Sequence, residues 1–230
     1  MAEIRGGLSR RHVLRAVAGG ALAGGLVTVG AVPAAALAGP VRTGRTGANG
    51  WPVRPGGGAG DAVRTIRVPG TDVSVALLGG DVTVVLVHVI RRFHYEIDQL
   101  RHGEVGGHRA AGVFPARHET NHASGTAVDI RADWYPPGTR NGFFPHEYDV
   151  IRDILADCEG VVRWGGDLAP VDESHFQIDV PPGDARLRHV ASKIRGWESR
   201  PGAGAGVLVD PLAPVRRKPA LALQRRQRTK

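Results

Sequence analysis

The 230-residue chain contains a single cysteine, Cys158. A disulfide framework, an iron–sulfur cluster and a cysteine-type zinc site are therefore excluded. Aromatic residues are few: five Phe, four Trp and three Tyr. Stacking platforms for single-stranded nucleic acid are correspondingly scarce. Acidic residues are scarce only at the ends. The formal charge is +8, yet residues 1–38 carry +3 and residues 200–230 carry +7, which leaves −2 on residues 39–199. The body is slightly acidic, so a nucleic-acid reading based on the high isoelectric point loses its force. Glycine (33) and proline (16) are abundant, but short of the content that marks a low-complexity chain. The length allows one or at most two domains, and about 130 residues suffice to bury a core. Ten histidines leave imidazole and carboxylate as the available metal ligands.

Ser9-Arg10-Arg11-His12-Val13-Leu14-Arg15 precedes a charge-free stretch, Ala16 to Ala38, which holds five glycines and ends in Ala36-Leu37-Ala38. Paired arginines before a weakly apolar run and an A-x-A exit resemble a twin-arginine signal peptide. The pattern predicts an exported protein cleaved after Ala38, with no membrane span left in the mature chain. A retained anchor is the competing reading, because 23 uncharged residues could cross a bilayer.

Residues 39–69 are rich in Gly, Pro and Arg and read as a linker. Thr71–Leu78 reads as a strand. Asp81 reads as the cap of a helix expected to run to about Arg101, with Leu86, Ile90, Phe93, Ile97 and Leu100 on one face. His88 and His94 on that helix read as ordinary packing residues. Residues 102–121 read as an irregular loop. Strands follow at Thr126–Ile130, Val161–Trp164 and Ser174–Val180, with helices from Pro145 to about Asp157 and from an Asp184 cap to about Arg195. This order predicts a small α+β domain over residues 70–199. Residues 200–230 read as a basic, disordered tail. It could tether the protein to an anionic wall polymer or lipid headgroups.

Two metal motifs compete for His122. His118-Glu119-Thr120-Asn121-His122 fits H-E-x-x-H, which needs a helix to align both imidazoles. Pro115 and Gly125 bracket it, no apolar face supports that helix, and Val128 stands where a metzincin has its third histidine. The required methionine is also missing, since the only Met is Met1. The second candidate set is His122, Asp129 and His175. A strand at 126–130 puts Ala127 and Asp129 on one face, and His175 lies in another strand with Phe176 on the opposite face. Three protein ligands leave a fourth tetrahedral position open, the form of a catalytic zinc site. Asp172, three residues before His175, is placed to act as general base. A polar loop holding no ion remains an alternative on spacing alone.

Asn121-His122-Ala123-Ser124-Gly125-Thr126-Ala127-Val128-Asp129 resembles the S-x-H-x-x-G-x-A-x-D signature of VanY-type D-alanyl-D-alanine metallopeptidases, which also include L-alanyl-D-glutamate endopeptidases. Trp164-Gly165-Gly166-Asp167 followed by Asp172-Glu173-Ser174-His175-Phe176 resembles their second signature. The resemblance spans about residues 70–197. It implies a hedgehog/D-Ala-D-Ala metallopeptidase-like fold and hydrolysis of peptidoglycan stem peptides. It places Zn2+ on His122, Asp129 and His175, the general base on Asp172, and a substrate-holding arginine on Arg109, with Arg117 as fallback. Thr120 replaces the family serine and Gln177 the glutamate after His-Phe. Glu173 adjoins Asp172 but would face away along a strand. Trp164 could line the pocket or the core, and Asp167 reads as fixing a turn.

The leading expectation is therefore an exported zinc D,D-carboxypeptidase or related wall endopeptidase, monomeric, without nucleic-acid partners. A wall-binding module retaining a vestigial zinc fold is the rival from another class. A metzincin-like protease and a Cys158 nucleophile are weaker readings. Zinc titration separates the two ligand sets. His175→Ala is expected to abolish binding while His118→Ala leaves it; the reverse result would transfer the site to H-E-x-x-H.

Overall fold

A computed structural model describes residues 40–54 and 62–228. The export-signal pattern at 1–38, and residues 55–61 of the expected linker, lie outside the described residues. Eight short strands and four α-helices follow in the order β1 (Val41–Arg42), β2 (Val63–Arg67), β3 (Ser74–Leu78), α1 (Asp81–Glu96), β4 (Val105–Gly106), β5 (Val113–Phe114), β6 (Ala127–Ile130), α2 (Pro145–Asp157), β7 (Val162–Trp164), β8 (His175–Ile178), α3 (Ala185–Glu198) and α4 (Pro214–Arg228). The predicted α+β class is observed.

The central sheet has the order β4-β6-β8-β7, all antiparallel. Its register pairs Val128 with Phe176 and Asp129 with His175. Side chains alternate across a strand, so one face carries Val128, Ile130, Phe176 and Ile178, all fully buried. They join one hydrophobic core with Leu86, Ile90 and Phe93 of α1. The opposite face carries Asp129 and His175. Burial of one face fixes the register, and a slip of one residue would exchange the two sets.

α1 is capped by Gly80 instead of the expected Asp81, and it ends at Glu96, short of the expected Arg101. Polar contacts draw the chain off its axis. The Leu100 N–H donates to His94 Nδ1 at 2.9 Å, and Arg131 donates to the Gln99 carbonyl at 2.7 Å and also pairs with Asp98 and Glu104. α2 starts with Pro145 at its first position, and its Glu147 carboxylate accepts the Phe144 N–H at 2.7 Å. Asp184 caps α3 by accepting the Arg186 N–H at 2.8 Å.

Two expectations are corrected. The segment 39–69 is not simply a linker: β1 pairs with β5, β2 pairs with β3, and residues 47–54 bond to the segment carrying His122. The basic tail is also not solvated throughout, because α4 packs on the body. Ala220, Leu223 and Gln227 are buried, and Gln227 Nε2 donates to the Val162 carbonyl at 2.8 Å. Arg216 donates to Asp153 at 2.6 and 2.8 Å and to Asp157 at 3.1 Å. Counting basic residues reveals their charge but not the acidic pair on α2 that receives them. Among the described residues no helix is long and apolar enough to cross a membrane.

Arg92 of α1 is the hub of this charge cluster. It donates to Asp153 at 2.8 Å and Asp157 at 2.6 Å and pairs with Glu96. Arg92 and Asp153 are almost fully buried. Removing one partner strands the other's charge in the interior, at a cost of about 3–5 kcal/mol. Arg92→Ala is expected to lose stability on that scale in urea denaturation. A loss below about 1 kcal/mol would show that the cluster is not holding α1, α2 and α4 together.

Candidate metal centre

Residues 118–124 form a short 3-10 helix, not the α-helix that H-E-x-x-H requires. Gly125 ends it in the left-handed region (φ 70°), a conformation that favours glycine. A Cβ there would also lie 2.8 Å from the Leu78 nitrogen. The turn delivers His122 to the polar face of the central sheet. There His122 Nε2 lies 3.1 Å from Asp129 Oδ1 and 3.3 Å from His175 Nδ1, and His175 Nδ1 lies 2.9 Å from Asp129 Oδ1.

The outer nitrogens decide what these atoms are. His122 Nδ1 faces the Gly107 carbonyl at 2.7 Å, and His175 Nε2 faces Gln177 Oε1 at 3.0 Å. Both outer partners are acceptors, so both outer nitrogens carry protons, and in the neutral rings His122 Nε2 and His175 Nδ1 present lone pairs. Two lone pairs and a carboxylate oxygen then converge, a donor set that a cation can bridge. The spacing fits one, since tetrahedral ligands about 2.0–2.1 Å from zinc stand about 3.3 Å apart. The three side chains form a potential metal-binding group.

Without an ion, the local electrostatics put a proton among these atoms. Burial, then the neighbouring imidazole of His175 and Arg109, hold His122 toward its neutral form against the pull of Asp129. At His175 burial acts the same way, but the bond to Asp129 outweighs it and raises the imidazole. Asp129 is held far below the carboxylate range by both imidazoles, despite its burial.

Around this triad stand four further groups. Asp172 is buried; its Oδ1 accepts the Ser174 N–H at 3.1 Å and hydroxyl at 2.6 Å, while Oδ2 is buried without a hydrogen-bond partner. Arg109 Nη2 donates to Asp129 Oδ2 at 2.8 Å and pairs with Glu119. The Arg109 side chain is 44% exposed, so the guanidinium stands at the mouth of the site. Glu119, 3% exposed, groups with Asp129, Asp172 and His175. His118 packs its ring on His175, with centroids 4.9 Å apart, and its buried Nε2 lies 3.8 Å from Glu119 Oε1 without a hydrogen-bond partner. Burial and the adjacent His175 push His118 down to about 4.

The second motif explains itself through close packing. A Cβ on Gly165 would lie 2.2 Å from the Asp172 carbonyl oxygen and 2.9 Å from the His175 Cβ. Only glycine lets the Trp-Gly-Gly turn lie against the Asp-x-x-His turn. Trp164 is a core residue, donating from Nε1 to the Glu173 carbonyl at 2.8 Å. Asp167 receives Arg152 and Arg228. Glu173 turns away from the triad and accepts from the Asn141 and Gly142 N–H groups and the Tyr148 hydroxyl. Thr120, at the family serine position, donates to the Arg117 carbonyl and accepts from Ala48. Arg117 is exposed and has no side-chain contact with the triad among the described hydrogen bonds and ion pairs. Cys158 is buried and its thiol is raised by burial, the opposite of an activated nucleophile.

Sequence reasoning weighed Glu119 only inside H-E-x-x-H. The structure places that glutamate beside Asp172 and Arg109 while His118 contributes no ligand atom. The two motifs are thus one site, and the missed signal was an acidic residue three positions before His122.

Burial and the charge of Asp129 push Glu119 up to about 7 from 4.5. The folded metal-free protein therefore holds a proton there that the unfolded chain has released, and stability falls as pH rises through that window. Glu119→Gln is expected to flatten this fall in urea denaturation with chelator present. An unchanged pH dependence would contradict the assignment.

Residues 115–178 match the family model described as D-alanyl-D-alanine carboxypeptidase. That span contains Glu119, His122, Asp129, Asp172 and His175 and begins after Arg109. No curated protein and no solved structure gives a significant match. The family match and the three-ligand centre together support a metallopeptidase.

Proposed function

We propose that this protein is an exported zinc peptidase that hydrolyses peptidoglycan stem peptides, with removal of a terminal D-alanine as its reaction. The observation that carries the reading is the convergence of His122 Nε2, Asp129 Oδ1 and His175 Nδ1 beside the unpartnered Asp172 Oδ2. Zinc held by these ligands would polarise the scissile carbonyl and make water nucleophilic near neutral pH.

The chain's own groups carry the rest. Asp172 Oδ2 accepts the proton of the attacking water and returns it to the leaving amine as the C–N bond breaks, while Ser174 holds the other oxygen in place. Arg109 is fixed by Asp129 and Glu119, and its remaining N–H groups point a positive charge at the entrance. There they can hold the substrate carboxylate or the developing oxyanion. The near-complete burial of His122, His175 and Asp172 limits competing water.

Export rests on the Arg10-Arg11 pattern and the Ala36-Leu37-Ala38 exit. Action at the wall, as a monomer, is part of this proposal; the exposed Arg217 and Lys218 on α4 suit an anionic wall polymer.

Mass spectrometry of defined stem peptides with zinc-loaded protein tests the reading. Chelator-sensitive loss of one D-alanine is expected. An internal cut would make the protein an endopeptidase, and no cleavage despite bound zinc would favour a wall-binding module. Asp172→Asn is expected to keep zinc and lose about 10²–10⁴-fold in kcat.

A further inference from the structure

A zinc ligand is useful only in one tautomer, and something must choose it. His175 ligates through Nδ1, so its proton belongs on Nε2. Nε2 faces Gln177 Oε1 at 3.0 Å. A glutamine cannot settle the matter, because turning its amide over presents NH2 instead of oxygen. The same Gln177 Oε1 accepts from Asn121 Nδ2 at 2.8 Å. Asn121 is reversible for the same reason. Its Oδ1, however, accepts the backbone N–H of Asn49 at 2.9 Å. A backbone N–H is always a donor and cannot turn over.

We infer that the segment around Asn49 sets the polarity of this amide chain and thereby supports the Nε2–H form of His175 that ligation through Nδ1 requires. The Asn49 N–H fixes Asn121 Oδ1 toward it, so Asn121 Nδ2 faces Gln177. Gln177 must then present oxygen, and that oxygen takes the Nε2 proton of His175. When Nδ1 ligates a metal the remaining proton is then held on Nε2; without a metal Asp129 Oδ1, 2.9 Å from Nδ1, favours a second proton there. Asn121 and Asn49 touch no ligand atom of the triad and are positioning residues.

The donor is itself held in place. Asn49 Nδ2 donates to Thr126 Oγ1 at 2.8 Å and to the Ile178 carbonyl at 2.9 Å, which joins the ends of β6 and β8. Trp51 Nε1 donates to the Val180 carbonyl at 2.8 Å, and the Ala48 N–H reaches Thr120 Oγ1 at 3.0 Å. The segment lies outside the residues that match the family model. The inference rests on the metal-centre reading, but its test does not require activity.

Asn121→Asp is the sharpest probe. Asp still accepts the Asn49 N–H but offers a second oxygen to Gln177. Gln177 must turn its NH2 toward that oxygen, and in doing so presents NH2 to His175 as well. His175 Nε2–H then meets a donor, which opposes ligation through Nδ1. The readout is the zinc Kd of the full chain by competition with a chelator, with urea denaturation in chelator as the control for folding. Asn121→Asp should bind zinc about 10–100-fold more weakly, the range for losing an outer partner of a ligand. Gln177→Glu keeps an acceptor toward both donors and should bind zinc no more weakly than wild type.

Asn121→Ala serves if the aspartate variant does not fold, and should also weaken zinc binding. Trp51→Phe loosens the segment that holds Asn49 and should weaken zinc binding in the same direction, by less. A wild-type Kd in Asn121→Asp, or in Asn121→Ala if that alone folds, would overturn the inference. A wild type that binds no zinc would instead defeat the metal centre, and this inference with it.

Discussion

The pairing of Asp129 with His175 across β6 and β8 is the constraint on which the site depends. It places a carboxylate and an imidazole on the same face, with their ligand atoms 2.9 Å apart. The opposite face of the same two strands buries Val128, Ile130, Phe176 and Ile178 against α1. Hydrophobic burial thus enforces the register, and the register assembles the ligands. Only His122 needs a separate device, the 3-10 turn closed by Gly125. A carboxylate and two imidazoles held this close form a candidate metal site, assembled with folding energy from the core.

A second layer of polar contacts gives the ligands their chemical identity. Gly107 and Gln177 fix the outer nitrogens, and Arg109 occupies the outer oxygen of Asp129. Asp129 is thereby left with one oxygen facing the imidazoles. The half-exposed Arg109 thereby orients Asp129 and keeps its positive charge at the mouth of the site. Away from the site, the buried Arg92 with Asp153 and Asp157 ties α1 to α2, and Arg216 extends that cluster to α4. The acidic body and the basic carboxy-terminal helix are complementary parts of one packed structure.

Much of this was legible in the sequence. Alternation around Val128 and Phe176 indicates which face of each strand is buried, and Pro145 and Asp184 mark helix starts through local capping chemistry. The resemblance carried by the two motifs implies the candidate set His122, Asp129 and His175, and strand alternation makes its last two members compatible. What escaped the sequence depends on distant partners. Asn49 and Trp51 look like linker residues until β6, β8 and the 3-10 turn supply acceptors. Arg216 looks like solvated charge until Asp153 and Asp157 appear beneath it. Glu119 was tied to a helical motif that does not form, because the helix was the only geometry known to bring it near a metal. The early end of α1 likewise reflects Arg131, more than thirty residues further along the chain.

The most direct measurement of the central claim is anomalous scattering at the zinc edge from crystals of the zinc-loaded protein. A single peak bounded by His122 Nε2, Asp129 Oδ1 and His175 Nδ1, with Asp172 Oδ2 beside it and unligated, is the predicted result. A peak ligated by His118, or no peak at the triad, would contradict the account.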